Sequence, residues 1–149
     1  MTTTDRLRLR FTRLRPSARV PERQTEHASG FDLHASLEGG SITIGQTPVS
    51  VPTGIAIAAP PGSDVQIRPR SGLSKRGVLG VLGTIDADYR GELLVTLYCL
   101  PETGTFEVAD GDRIAQLVVS QLADVEWQET DALDETARGT GGHGSTGLR

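Results

Sequence analysis

Leu7, Leu9 and Phe11 alternate with Arg6, Arg8 and Arg10, the two-residue period of a strand with one buried face; Pro16 and Pro21 then break the run. Short apolar runs recur at 31–35, 41–44, 49–51, 54–58, 65–68, 78–82, 93–100, 105–108 and 118–127. Turn formers such as Gly39-Gly40 and Pro60-Pro61-Gly62 separate them. Many short strands between turns predict an all-β fold, a sandwich or barrel. At most one short helix is expected, over 71–76 or 113–121, since neither stretch sustains a long amphipathic pattern. From Arg138 to Gly147 no apolar residue can fasten the chain to a core, so the packed body is expected over 1–135 and a flexible glycine-rich arm over 136–149.

A chain of 149 residues fits one domain with a real core. The single Cys99 excludes an internal disulfide and lies in the run 93–100, which predicts a buried structural thiol and a reducing compartment. The net charge of -4 is unevenly spread: residues 1–24 hold seven arginines against Asp5 and Glu22, and 25–67 hold no Lys or Arg. Arg68, Arg70, Lys75 and Arg76 then arrive together. A few cations on an acidic body suit a small anionic ligand better than a nucleic acid. No apolar run approaches a membrane span and no signal-peptide pattern opens the chain, so a cytoplasmic protein is expected.

The chemistry-bearing segments each admit two readings. Gly83 through Glu92 reads as a hairpin with Asp86, Asp88 and Tyr89 at its bend: either an ordinary polar turn, or backbone donors and acceptors that read a base beside a sugar-supporting ring and a water-orienting carboxylate. Arg70-Ser71-Gly72-Leu73-Ser74 combines a guanidinium, hydroxyls and glycine, a modest phosphate cradle. Gly111 through Leu117 sets a turn ahead of Arg113 and Gln116, and Asp32 in Ser29-Gly30-Phe31-Asp32-Leu33 reads as a turn or cap residue. The glycines, Arg138, Ser145 and Thr146 of the tail are equipment for gripping phosphate. Neither a Walker loop nor a dinucleotide fingerprint is present, and His27, His34 and His143 lack zinc-ligand spacing.

Taken together and in this order, these five segments resemble the trimeric deoxyuridine triphosphatases, the dUTPase family, over almost the whole chain. The resemblance implies a jelly-roll-like β-barrel, a homotrimer with active sites shared between subunits, and Mg2+-assisted hydrolysis of dUTP to dUMP and pyrophosphate. By it, Asp86 positions and activates the water that attacks the α-phosphorus. Tyr89 lies against the deoxyribose and leaves no room for a 2′-hydroxyl. The backbone of Gly83, Thr84 and Ile85 reads uracil. Arg70, Ser71, Gly72 and Gln116 match phosphate contacts, and Asp32 matches a carboxylate linked to magnesium through water. Arg138, Ser145 and Thr146 match the γ-phosphate grip. His143, followed by Gly144, stands where many members carry a phenylalanine over the base.

Two other classes are set beside this reading. A dCTP deaminase shares the fold, but no glutamate motif like the deaminase site is present. A dUTPase-like body could also use nucleotide binding to control a partner protein, although the full set of candidate catalytic residues speaks for hydrolysis.

Overall fold

The computed structural model describes residues 6–142. Among these, β1 (Arg10–Arg13), β2 (Gly30–His34), β3 (Ser41–Ile44), β4 (Val49–Ala58) and β5 (Ser63–Arg68) precede a short helix α1 (Ser71–Lys75). Strands β6 (Val78–Gly80), β7 (Gly83–Ile85), β8 (Glu92–Cys99), β9 (Phe106–Ala109) and β10 (Arg113–Gln121) follow, with a 3-10 turn at Pro101–Thr103. One four-stranded sheet has the order β1-β4-β8-β6 and another β2-β10-β5-β7, while β3 and β9 form a two-stranded ribbon. All the pairings are antiparallel. Every connection between consecutive strands carries the chain into a different sheet, the winding of a jelly-roll-like barrel.

Alternation along the strands builds the core. In β8, Leu93, Val95, Leu97 and Cys99 are buried, whereas Leu94, Thr96 and Tyr98 point away from the core. They meet Val51 and Ile55 of β4, Val65 and Ile67 of β5, and Leu33, Ile114 and Leu117 of the other sheet in one cluster. Cys99 is thus a buried packing residue, as its apolar run predicted, and its thiol reaches the Ile44 carbonyl at 3.4 Å.

The runs 49–51 and 54–58 are a single strand. Pro52, opposite Leu94, has no N–H to give the ladder, and a register shift lies between Pro52 and Ala56 in the pairing with β8. Gly54 has φ of +69 there, and the space a Cβ would take is filled by Ala18, Ser36 and Arg15. The Thr53 hydroxyl donates to the Leu93 carbonyl at 2.7 Å and closes the irregularity.

Three further expectations are corrected. Residues 113–121, a helix candidate, form β10, because β2 and β5 pair with both of its edges; the helix is at 71–75. The run 118–127 stops as a strand at Gln121, and 122–140 are exposed and irregular. The segment 83–92 is not a hairpin: β7 pairs with β5 in one sheet, while β8 pairs with β4 and β6 in the other. Residues 86–91 are therefore a crossover loop between sheets. No helix of the described residues is long and apolar enough to cross a membrane.

Candidate active site

β10 lies between β2 and β5, and its register sets Gln116 opposite Asp32 on one side and Arg68 on the other. Residues directly opposite across a ladder share a face, so Asp32 and Gln116 stand together on the side away from Leu33, Leu117 and Ile67. Asp32 is a strand residue, not a turn cap as its sequence context suggested. Its carboxylate is buried and shared by two guanidiniums: Arg70 Nε at 3.4 Å and Arg113 NH1 at 3.3 Å. Arg70 NH1 also donates to the Arg113 carbonyl at 2.9 Å, and Gln116 Nε2 donates to the Pro69 carbonyl at 3.0 Å.

Two cations around one anion leave a positive surplus, and the side chain of Arg113 remains 45% exposed against 11% for Asp32. The buried carboxylate fixes the guanidiniums and the solvent side presents their charge, an arrangement fit for phosphate oxygens. Just beyond, Leu73 and Ser74 make the first bonds of α1 to the Arg70 carbonyl. Ser71 and Gly72 precede those bonds and are exposed beside Arg70. Nearby, burial and the Arg19 charge push the His34 imidazole below its usual range, and its Nδ1 is buried without a hydrogen-bond partner.

A second group forms at β7. Among the described residues this strand pairs with β5 alone and is the last in its sheet, which leaves one backbone edge of Gly83, Thr84 and Ile85 without a strand partner there. Asp86 follows at once and is exposed, and its carbonyl accepts the Tyr89 N–H at 3.0 Å in a tight turn. The Tyr89 ring lies across Gly91, where any Cβ would collide with it, and its hydroxyl donates to the Glu92 carbonyl at 3.0 Å. Arg90 folds back to the carbonyls of Ala87 and Tyr89 at 2.7 and 2.8 Å, so its charge is used inside the loop.

Asp86 and Arg70 do not meet in one chain. Val65 is opposite Ile85 and Ile67 opposite Gly83, which sets Asp86 level with the start of β5 while Arg70 follows its end. Six residue steps separate those levels, up to about 20 Å in extended chain. Asp32, Arg70, Ser71, Gly72 and Gln116 therefore gather around the end of β5, while β7 runs away from that level, from Gly83 opposite Ile67 to Ile85 opposite Val65, and delivers Asp86, with Tyr89 bonded to its carbonyl, at the other end.

A dUTPase family model matches residues 17–147. The chain belongs to the dUTPase family. It is 48% identical over 134 residues to a deoxyuridine 5'-triphosphate nucleotidohydrolase of Rickettsia bellii, covering 87% of this chain and 88% of that one. Its counterpart in Wolinella succinogenes is 47% identical over 151 residues, 99% of each chain. Among solved structures, Staphylococcus bacteriophage 80alpha dUTPase with dUpNHpp superposes with a TM-score of 0.81 at 25% identity, over 95% of this chain and 99% of that one. A dUTPase of phage phi11, described with a structural Mg(II) ion, shares the fold with a TM-score of 0.74 at 22% identity, over 84% and 97% of the two chains.

Of the tail residues, Arg138 is exposed and folds onto the Gly141 carbonyl at 2.8 Å; His143, Gly144, Ser145 and Thr146 lie outside the described residues. Arg113 was named in its motif without a role, and its pairing with Asp32 becomes legible only once β10 and β2 are known to be neighbours. Glu92, likewise only the end of a motif in the sequence, carries an ion pair with Arg15 at 2.7 Å.

Proposed function

We propose that this dUTPase hydrolyses dUTP to dUMP and pyrophosphate at sites assembled between identical subunits of a homotrimer. The division of its motifs into two groups carries the reading: beside the cation cluster Asp32 is held by two guanidiniums and Asp112 by the Ala109 N–H, and the β7 group lacks cations free to hold phosphate. Either surface is half a site. Joined across an interface they become complementary, which closed cyclic symmetry arranges three times over.

In that site a pyrimidine lies along the open backbone edge of Gly83, Thr84 and Ile85, whose alternating donors and acceptors suit the uracil edge. Tyr89 packs against the deoxyribose and excludes a 2′-hydroxyl. Asp86, exposed and free of any ion pair among the described residues, orients and deprotonates the water that attacks the α-phosphorus. Arg70, Ser71, Gly72 and Gln116 hold the phosphates in line and stabilise the charge that develops on them. The arm 136–149 closes over the nucleotide, with Arg138, Ser145 and Thr146 on the γ-phosphate and His143 and Gly144 over the base. Trp127 and Leu133, 91% and 87% exposed on the segment leading to the arm, call for cover by another subunit.

The residues present fit magnesium held chiefly by the substrate. Among the described residues no three metal-ligating side chains converge; Asp32 is already held by two guanidiniums, and Asp112, which lines the same cavity, accepts the Ala109 N–H. A small hard cation that keeps most of its waters and rides on phosphate oxygens matches that donor set, with Asp32 reaching it through water. Bound there, magnesium supplies neutralisation of phosphate charge.

The test is pyrophosphate release from dUTP, UTP, dCTP and dTTP with Mg2+. Turnover of dUTP far ahead of the other three is expected; comparable rates on all four would overturn the assignment.

A further inference from the structure

The crossover loop has few supports. Among the described residues, the hydrogen bonds of 86–91 all stay within 86–92. The loop is therefore held by β7 at one end, by Ala87 packed against the core just after it, and by Glu92, the first residue of β8, at the other end, next to Tyr89. The Glu92 carbonyl is also the acceptor for the Tyr89 hydroxyl. Whatever fixes Glu92 fixes the ring.

Glu92 is gripped three ways through its side chain. Oε1 accepts from Arg15 NH1 at 2.7 Å and from the Gly54 N–H at 2.7 Å, and Oε2 accepts from Arg15 NH2 at 3.0 Å. Such a two-pronged guanidinium–carboxylate contact is directional as well as strong, and it is partly shielded here, with side chains 26% and 19% exposed. Both partners are themselves anchored. The Gly54 carbonyl accepts the Leu14 N–H at 2.7 Å, and Ala18, three residues past Arg15, is buried in the core cluster. A chain of fixed contacts thus runs from the N-terminal segment through the irregularity in β4 to the loop that carries Tyr89.

We propose that the Arg15–Glu92 pair is a specificity-determining positioning element: it holds Tyr89 over Gly91 and so sets the preference for deoxyribose over ribose. The inference rests on the placement of Tyr89 against the sugar in the function proposed above. Loosening the pair lets the Glu92 carbonyl shift, and the ring then ceases to close the space a 2′-hydroxyl would enter. Asp86 shares the loop through its carbonyl, which accepts the Tyr89 N–H, so the dUTP-to-UTP ratio and not turnover alone is the readout; the phosphate grip at Arg70 is not part of this linkage.

The experiment measures kcat/KM for dUTP and for UTP in the full-length protein and in Arg15→Gln, Glu92→Gln and the double variant, with Tyr89→Ala beside them. Each single variant is expected to lower the dUTP-to-UTP ratio by about tenfold, and the double variant no further, because one linkage is cut twice. Arg15→Lys, which keeps the cation but not the two-pronged contact, is expected to fall between and covers the case in which a harsher variant fails to fold. Thermal midpoints are recorded in parallel. A ratio unchanged in Arg15→Lys and the folded Gln variants, while Tyr89→Ala lowers it, overturns the inference and leaves the function standing. A ratio unchanged in Tyr89→Ala overturns the placement of the ring, and the inference with it.

Discussion

Asp86 and Arg70 stand at opposite ends of β5, one leaving β7 level with the first residues of that strand and the other following its last. On the proposed shared site, a subunit carrying both in working order still needs a neighbour to bring them to one substrate. Asp86→Asn alone is expected to lower turnover by about 10²–10⁴-fold, the usual contribution of a positioned base. Arg70→Gln should cost a comparable amount through lost charge stabilisation. Unfolding the two inactive proteins together and refolding them at equal concentration should restore about a quarter of wild-type pyrophosphate release, because one site in four then draws both intact groups. No recovery in confirmed mixed trimers contradicts the shared site.

Asp32→Asn removes the anion that Arg70 and Arg113 share and the carboxylate assigned to hold magnesium through water. The Mg2+ concentration for half-maximal dUTP hydrolysis should rise by about 10–100-fold, the range for outer contacts to a metal. An unchanged magnesium requirement with lowered kcat would restrict Asp32 to orienting the two arginines.

Truncation after Ala137 should leave the fold intact, since β10 ends at Gln121 and the later described residues contribute no strand. Circular dichroism and the thermal midpoint should stay near wild type, while kcat/KM for dUTP falls by about 10²–10³-fold with the γ-phosphate donors gone. Full activity would make the glycine-rich end dispensable.

Asp110 accepts the Leu37 N–H at 2.6 Å, and that backbone bond holds its carboxyl below the ordinary 3.8. A carboxylate whose folded value is depressed adds stability above its unfolded value and loses it as pH falls through the folded one. Asp110→Ala should therefore lower the thermal midpoint at neutral pH, with the difference from wild type shrinking as the pH falls below the ordinary carboxylate value. A gap that stays constant as the pH falls would assign the effect to packing.

The all-β class and most strand positions were legible because burial imposes a two-residue period wherever one face meets the core, as in Leu93, Val95 and Leu97. Partner choice left no such mark. Ile85 and Leu93 flank a turn-like stretch, and nothing local distinguishes a return to the same sheet from a crossing to the other one. Ile114 and Leu117 share a spacing of three with a helix face, and only the flanking strands β2 and β5 decide for extended chain. The order of the motifs identified the candidate site residues, but their separation into two clusters depends on pairings between residues far apart in sequence. The ion pairs of Asp32 and Glu92 were hidden for the same reason.

The position of β10 also bears on synthesis. The final strand of the body is an interior member of its sheet, inserted between β2 and β5, so both must wait with unsatisfied edges until Gln121 has left the ribosome. Such a nascent chain cannot close its barrel piece by piece. Its acquisition of structure is a late, concerted and comparatively slow event governed by contacts distant along the polypeptide.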